Sequence, residues 1–125
     1  MTNIPSIRNK TTNEKEILER LKDCIFNKID TQNSVCLDIG ANIGNHTLYF
    51  AQFFKQVYSF EPHPEIFELL KFNVRKSKNV KVFQFGLSNK NDEMVITRDP
   101  SSYGSSFVRN KSDLKFGKDA YTFNV

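Results

Sequence analysis

The stretch SVCLDIGANIGNHTLYFAQFFKQVYSFE, Ser34 to Glu61, reads as a strand, a glycine turn, a helix and a second strand ending on a carboxylate. Val35 to Ile39 is a nearly unbroken apolar run, the pattern of a strand covered on both faces in a parallel sheet. Gly40 and Gly44 bracket the turn. Gly40 can take a positive φ, and the missing side chain at Gly44 lets the next helix pack close to the strand or to a ligand. Asn42 or Asn45 is the candidate cap of a helix running to Phe54, whose open N-terminus would aim donors at whatever lies over the loop. Leu48, Ala51 and Phe54 form the stripe expected to face the sheet. The second strand, Val57 to Phe60, ends at Glu61 because Pro62 and Pro64 cannot continue it.

Glu61 stands 23 positions after Asp38. In nucleotide-binding βαβ units an acid at about that distance tips the neighbouring strand and accepts from both ribose hydroxyls. The glycine spacing then narrows the ligand. A dinucleotide site needs G-x-G-x-x-G so that backbone can approach a pyrophosphate, whereas Gly40-Ala41-Asn42-Ile43-Gly44 carries a side chain at the middle glycine's place. Asp38, two residues ahead of the first glycine, would repel a pyrophosphate and suit a ligand bearing an ammonium group. S-adenosylmethionine (SAM) is such a ligand, with adenosine at one end, an amino acid at the other and a cationic sulfonium between.

Three ordered blocks carry a family resemblance: LDIGANIGNHTLYFA, VYSFEPHPEIFELLKFNV and NVKVFQFGLSNKNDE. Together, over roughly Ser34 to Phe107, the chain resembles the SAM-binding part of the FkbM-type methyltransferases, which act mostly on hydroxyl groups of sugars and secondary metabolites. The resemblance implies an α/β, Rossmann-like class I methyltransferase fold with parallel strands in order 3-2-1 and flanking helices. It assigns the methionyl part of SAM to the loop residues Asp38, Gly40, Ala41, Asn42 and Gly44, and the ribose to Glu61. It points to Phe85, Gly86 and Leu87 as the border of the adenine, with His63 beside ribose and adenine in a shaping or hydrogen-bonding role. No catalytic base is identified. His46 is a first-turn helix residue near the pocket rather than a proton carrier.

Around this unit, residues 1–10 read as a flexible lead-in and 11–125 as a single partial SAM-binding domain. Thr11 to Glu14 fits a capping box opening a helix to about Asn27, with Ile17, Leu21, Cys24 and Ile25 on one apolar face packed on the sheet. A helix follows from Pro64 to about Arg75, with Phe67, Leu70 and Val74 inward. Val80 to Phe85 is a third strand, Glu93 to Thr97 an extra one, Asp99 to Ser106 a polar loop, and Ala120 to Val125 one more strand. Gly104 to Phe107 resembles a small-residue segment that follows the extra strand in FkbM proteins; it reads as a structural loop, with lining of the substrate side as the alternative.

Composition agrees with one small domain. At 125 residues the chain can bury roughly two thirds of its unfolded surface. Mean hydropathy is −0.50, and no apolar run reaches membrane-spanning or signal-peptide length, so the cytoplasm is the default location. Cys24 and Cys36 lack metal-site spacing and read as reduced thiols; no metal is expected. The net charge of +4 is spread along the chain. Its densest run, Lys71 to Lys81, reads as solvated surface, so the expected acceptor is a small molecule or glycan and not nucleic acid.

The chain stops before the acidic fourth-strand segment that FkbM proteins carry, so the later half of the sheet is expected to be missing and the chain to be truncated or a fragment. The first strand would then be an edge with uncovered apolar side chains, a place for a second chain or dimer partner. The reading is therefore a SAM-dependent O-methyltransferase. The alternatives are a non-catalytic module that binds SAM or a partner and, third, an NAD-dependent oxidoreductase.

Overall fold

The computed structural model of the protein describes residues 5–98, 106–110 and 120–125, and the side chains of 14–96 and 124–125. The chain runs through helix α1 (Pro5–Cys24), two single-turn 3₁₀ helices (Phe26–Lys28 and Thr31–Asn33), strand β1 (Val35–Ile39), helix α2 (Asn45–Phe50), strand β2 (Gln56–Phe60), helix α3 (Pro64–Val74) and strand β3 (Val80–Phe83). Strands β4 (Glu93–Arg98), β5 (Ser106–Asn110) and β6 (Ala120–Asn124) follow. The class is α/β: β1, β2 and β3 form a parallel sheet in that order, so β2 is central and β1 is an edge.

One face of this sheet carries the core. Leu70 and Val74 of α3 pack with Phe67 and Ala41 over Val80 and Val82, and Leu70 and Val57 are wholly buried. The inward stripe of α3 is the expected one, because residues at i, i+3 and i+7 share a helix face. Asn79, at the turn into β3, ties the layers by donating to the carbonyls of Ala51 and Phe54, each at 2.9 Å.

The opposite face of β1 is uncovered, as expected of an edge strand and unlike a strand buried on both faces. Val35, Leu37 and Ile39 of β1 are 52, 55 and 62% exposed. Across the ladder, Leu37 is level with Tyr58 and Ile39 with Phe60, and Phe60 stacks on Phe83 at 5.2 Å. Val35, Leu37 and Ile39 therefore share the exposed face of β1, while its inward face carries Cys36 and the buried Asp38. The edge position anticipated for β1 is observed.

Helix α1 departs from its expected start and its expected partner. It begins at Pro5, six residues before the capping-box Thr11, so residues 5–10 are helix rather than lead-in. Proline at the first helical positions has a preset φ and no N–H to leave unpaired, which is why it can open the helix. Ile17 and Ile25, expected to pack on the sheet, are 58 and 46% exposed. The helix is attached to α2 instead. The Phe26 ring lies among Tyr49, Phe50, Phe53 and Phe54, and the Tyr49 hydroxyl donates to the Leu18 carbonyl at 3.2 Å.

Beyond β3 a second sheet forms, antiparallel and ordered β5-β4-β6. Its central strand buries Val95 and Ile96. Strand β5 was not expected, since Ser106 to Asn110 carries little strand pattern; antiparallel pairing with β4 supplies what local sequence does not. The expected β6 returns to the end of the parallel sheet, where the Gly86 N–H donates to the Asn124 carbonyl at 2.9 Å. Gly104 and Ser105, part of the small-residue segment, lie outside the described residues.

Candidate active site: a glycine loop between two carboxylates

The ladder between β1 and β2 runs on into the loop. The N–H groups of Gly40 and Ala41 both donate to the Phe60 carbonyl, at 2.9 and 3.0 Å. Asn42 donates its N–H to Glu61 Oε2 at 3.0 Å, Ile43 to the Asn42 side-chain oxygen at 2.8 Å, and Gly44 to the Ala41 carbonyl at 3.0 Å. The backbone reaches these partners by turning left-handed at three places: Gly40 (φ 76°), Asn42 (φ 52°) and Gly44 (φ 97°). Glycine takes such angles freely, and asparagine is among the few other residues that tolerate them. All five loop amides from Gly40 to Gly44 are thus bonded within the chain.

The loop runs from one carboxylate to the other. Asp38, at the end of β1, is 7% exposed and accepts from the buried Thr47 hydroxyl at 2.5 Å. Glu61, one residue past β2, is also 7% exposed. Its two oxygens accept from the Asn42 and His63 N–H groups, at 3.0 and 2.8 Å. Each carboxylate oxygen has two lone pairs, so Glu61 clasps the loop and keeps capacity for a further donor on each oxygen. Burial, and then the neighbouring Asp38 carboxylate, push the Cys36 thiol up to about 11, which keeps it protonated and unreactive at neutral pH.

Several local expectations are corrected. Helix α2 spans six residues, and its N-cap is Gly44 with no side-chain cap bond; Asn42 uses its side chain on Ile43 instead. The side chain turned into the sheet is Thr47, fully buried, while Leu48 is 36% exposed. Hydrogen bonds to Asp38 and Ser59 pull that face one position round. Within the chain, Gly44 makes its close approach to α3 rather than to the strand: a Cβ there would lie 2.8 Å from Leu70 Cδ1. His46 pairs with Glu14 of α1 at 2.8 Å.

Of the residues read as a site, Asp38, Gly40, Ala41, Asn42, Gly44, Glu61 and His63 are gathered at the carboxyl ends of β1 and β2. His63 is buried and caps α3 through Nδ1, which accepts from the Ile66 N–H at 3.5 Å. Phe85 stands apart, with its ring against Phe60 and Phe83 on the face away from Asp38. Leu87 is 46% exposed, and Gly86 is joined to β6. Two residues central to the geometry, Thr47 and Ser59, were not singled out by sequence, because the apolar stripe of α2 pointed to Leu48 and not to Thr47 as the inward position. Among the described residues no group of three or more His, Cys, Asp or Glu could hold a metal ion, and no helix is long and apolar enough to cross a membrane.

No protein-family model matches the sequence, and no curated protein does. Solved structures give partial matches. A putative methyltransferase from Streptococcus mutans, SMU.1697c, in complex with SAH, is 24% identical with a TM-score of 0.48, over 55% of this chain and 40% of that one. An rRNA methylase from Streptococcus thermophilus is 19% identical with a TM-score of 0.45, over 49% of this chain and 38% of that one. The 23S rRNA methyltransferase ErmE is 20% identical with a TM-score of 0.47, over 55% of this chain and 27% of that one. The match thus spans well under half the length of each of these structures.

Proposed function

We propose that the site formed by the glycine loop with Asp38 and Glu61 binds SAM, and that the protein serves transfer of the SAM methyl group to a hydroxyl of a sugar or secondary metabolite. The observation that carries the reading is the pairing of the loop. Its five amides are used internally, so the loop has no row of free donors for a pyrophosphate, while acceptor capacity remains on two nearly buried carboxylates at its ends. Such a site suits a ligand rich in donors and positive charge. Asp38 would accept from the ammonium and Glu61 from the ribose hydroxyls. This disfavours the NAD-dependent alternative.

SAM would supply a methyl carbon bound to a cationic sulfur; as the acceptor hydroxyl oxygen bonds that carbon, the C–S electron pair would leave with sulfur and the hydroxyl proton would pass to water. The chain's own part is orientation, which in well-placed reactions is worth on the order of 7 to 11 kcal/mol. The acceptor class rests on the FkbM resemblance of the three sequence blocks.

Calorimetric titration of the protein with SAM and with NAD tests the cofactor. Saturable SAM binding is expected, and Asp38→Ala should weaken it by roughly 1 to 3 kcal/mol while the fold persists. Binding of NAD but not SAM, or an unchanged Asp38→Ala, would overturn the reading. Incubation with methyl-labelled SAM and either a glycan panel or ribosomal RNA tests the acceptor. Label in RNA alone would replace the hydroxyl acceptor with a nucleic-acid one.

A further inference from the structure

A relay of two buried hydroxyls holds Asp38. Thr47 Oγ1 lies 2.5 Å from Asp38 Oδ2 and 2.8 Å from Ser59 Oγ, and neither hydroxyl residue has any exposed surface. The direction of the relay follows from the chemistry of the groups. A carboxylate only accepts, so the Thr47 proton goes to Asp38 and Ser59 must donate to Thr47. A hydroxyl that accepts one bond donates the next more strongly, so Ser59 reinforces the bond to the carboxylate. The three residues come from β1, α2 and β2, with Asp38 and Ser59 level across the ladder.

Valine would fill the Thr47 site with nearly the same shape. Burying hydroxyls there is unfavourable unless they are bonded, so the relay serves the carboxylate rather than the packing. It occupies Oδ2, and the described residues bring no donor to Oδ1. We propose that Thr47, backed by Ser59, is a positioning residue that aims Oδ1 of Asp38 at the ammonium of the ligand, making the site selective for a nucleoside with an amino-acid tail over one without. The inference rests on the SAM reading of the site.

The test is calorimetry with two neutral ligands, S-adenosylhomocysteine and 5′-methylthioadenosine. They share adenosine and sulfur, and the second has a methyl group in place of the amino-acid tail. Thr47→Val should weaken S-adenosylhomocysteine about tenfold or more and leave 5′-methylthioadenosine within about twofold, and Thr47→Ser should restore the first to within about threefold. Equal losses for both ligands, or none, would overturn the proposal. If Thr47→Val does not fold, Ser59→Ala keeps the Thr47–Asp38 bond and removes only the outer hydroxyl. It should lower affinity for S-adenosylhomocysteine about threefold with 5′-methylthioadenosine unchanged, and any other pattern overturns the proposal. A parent protein that binds 5′-methylthioadenosine as tightly as S-adenosylhomocysteine defeats the proposal but leaves a nucleoside site; one that binds neither defeats the SAM reading itself.

Discussion

Gly40 and Gly44 have similar backbone angles and different duties. Both are left-handed, so alanine at either carries backbone strain of roughly 1 to 2 kcal/mol. At Gly40 nothing lies within 4 Å of the added Cβ, while at Gly44 it meets Leu70 at 2.8 Å and Val74 at 3.4 Å. Since Leu70 is wholly buried, it has little room to yield. Gly44→Ala should therefore destabilise by about 1 to 3 kcal/mol more than Gly40→Ala in urea unfolding. Equal losses would mean that contact with α3 is not what requires a glycine there. Glu61 also has two duties at this scale. Its oxygens tie the Asn42 and His63 amides, so Glu61→Ala disturbs the loop as well as ligand binding, and Asp38→Ala is the cleaner probe of the site.

Elements show where periodicity informs and where it misleads. The inward stripe of α3 was legible because the helix spans three turns and its partner is the sheet expected from its neighbours. Helix α2 is six residues long, too short for a hydrophobic stripe to set its rotation, and two hydrogen bonds to Thr47 set it instead. Strand β1 carries the same ambiguity in another form. Its composition cannot tell a strand buried on both faces from one that leaves an apolar face in water. Leu37→Thr, on the exposed face, should change stability by no more than about 0.5 kcal/mol, and Leu70→Ala in the core should cost about 2 to 5 kcal/mol. A loss of core size at Leu37 would mean that its face is covered in solution.

At the scale of the whole molecule the two sheets each have one strand paired on both sides, β2 in the parallel sheet and β4 in the antiparallel one. Hydrogen exchange should be slowest in those strands, with β1 amides exchanging about tenfold faster than β2 amides, because an edge opens without breaking the rest of the sheet. Equal protection of β1 and β2 would place a partner along the β1 edge. The Gly86 to Asn124 backbone bond ties β6 to the region just past β3, and the Val125 to Asp92 bond extends the β4–β6 ladder by one position.

The sequence by itself determined the strand-loop-helix-strand unit, the order of the three parallel strands and the two carboxylates at their tips. Those features depend on local pattern and on residues near one another in the chain. Only the tertiary structure decided that the loop's amides are used up, that Glu61 clasps the loop, that Gly44 serves α3, and that Thr47 and Ser59 support Asp38. Each of these depends on which atoms meet across elements, and hydrogen-bond pairing between distant residues leaves no period in the sequence from which it could be read.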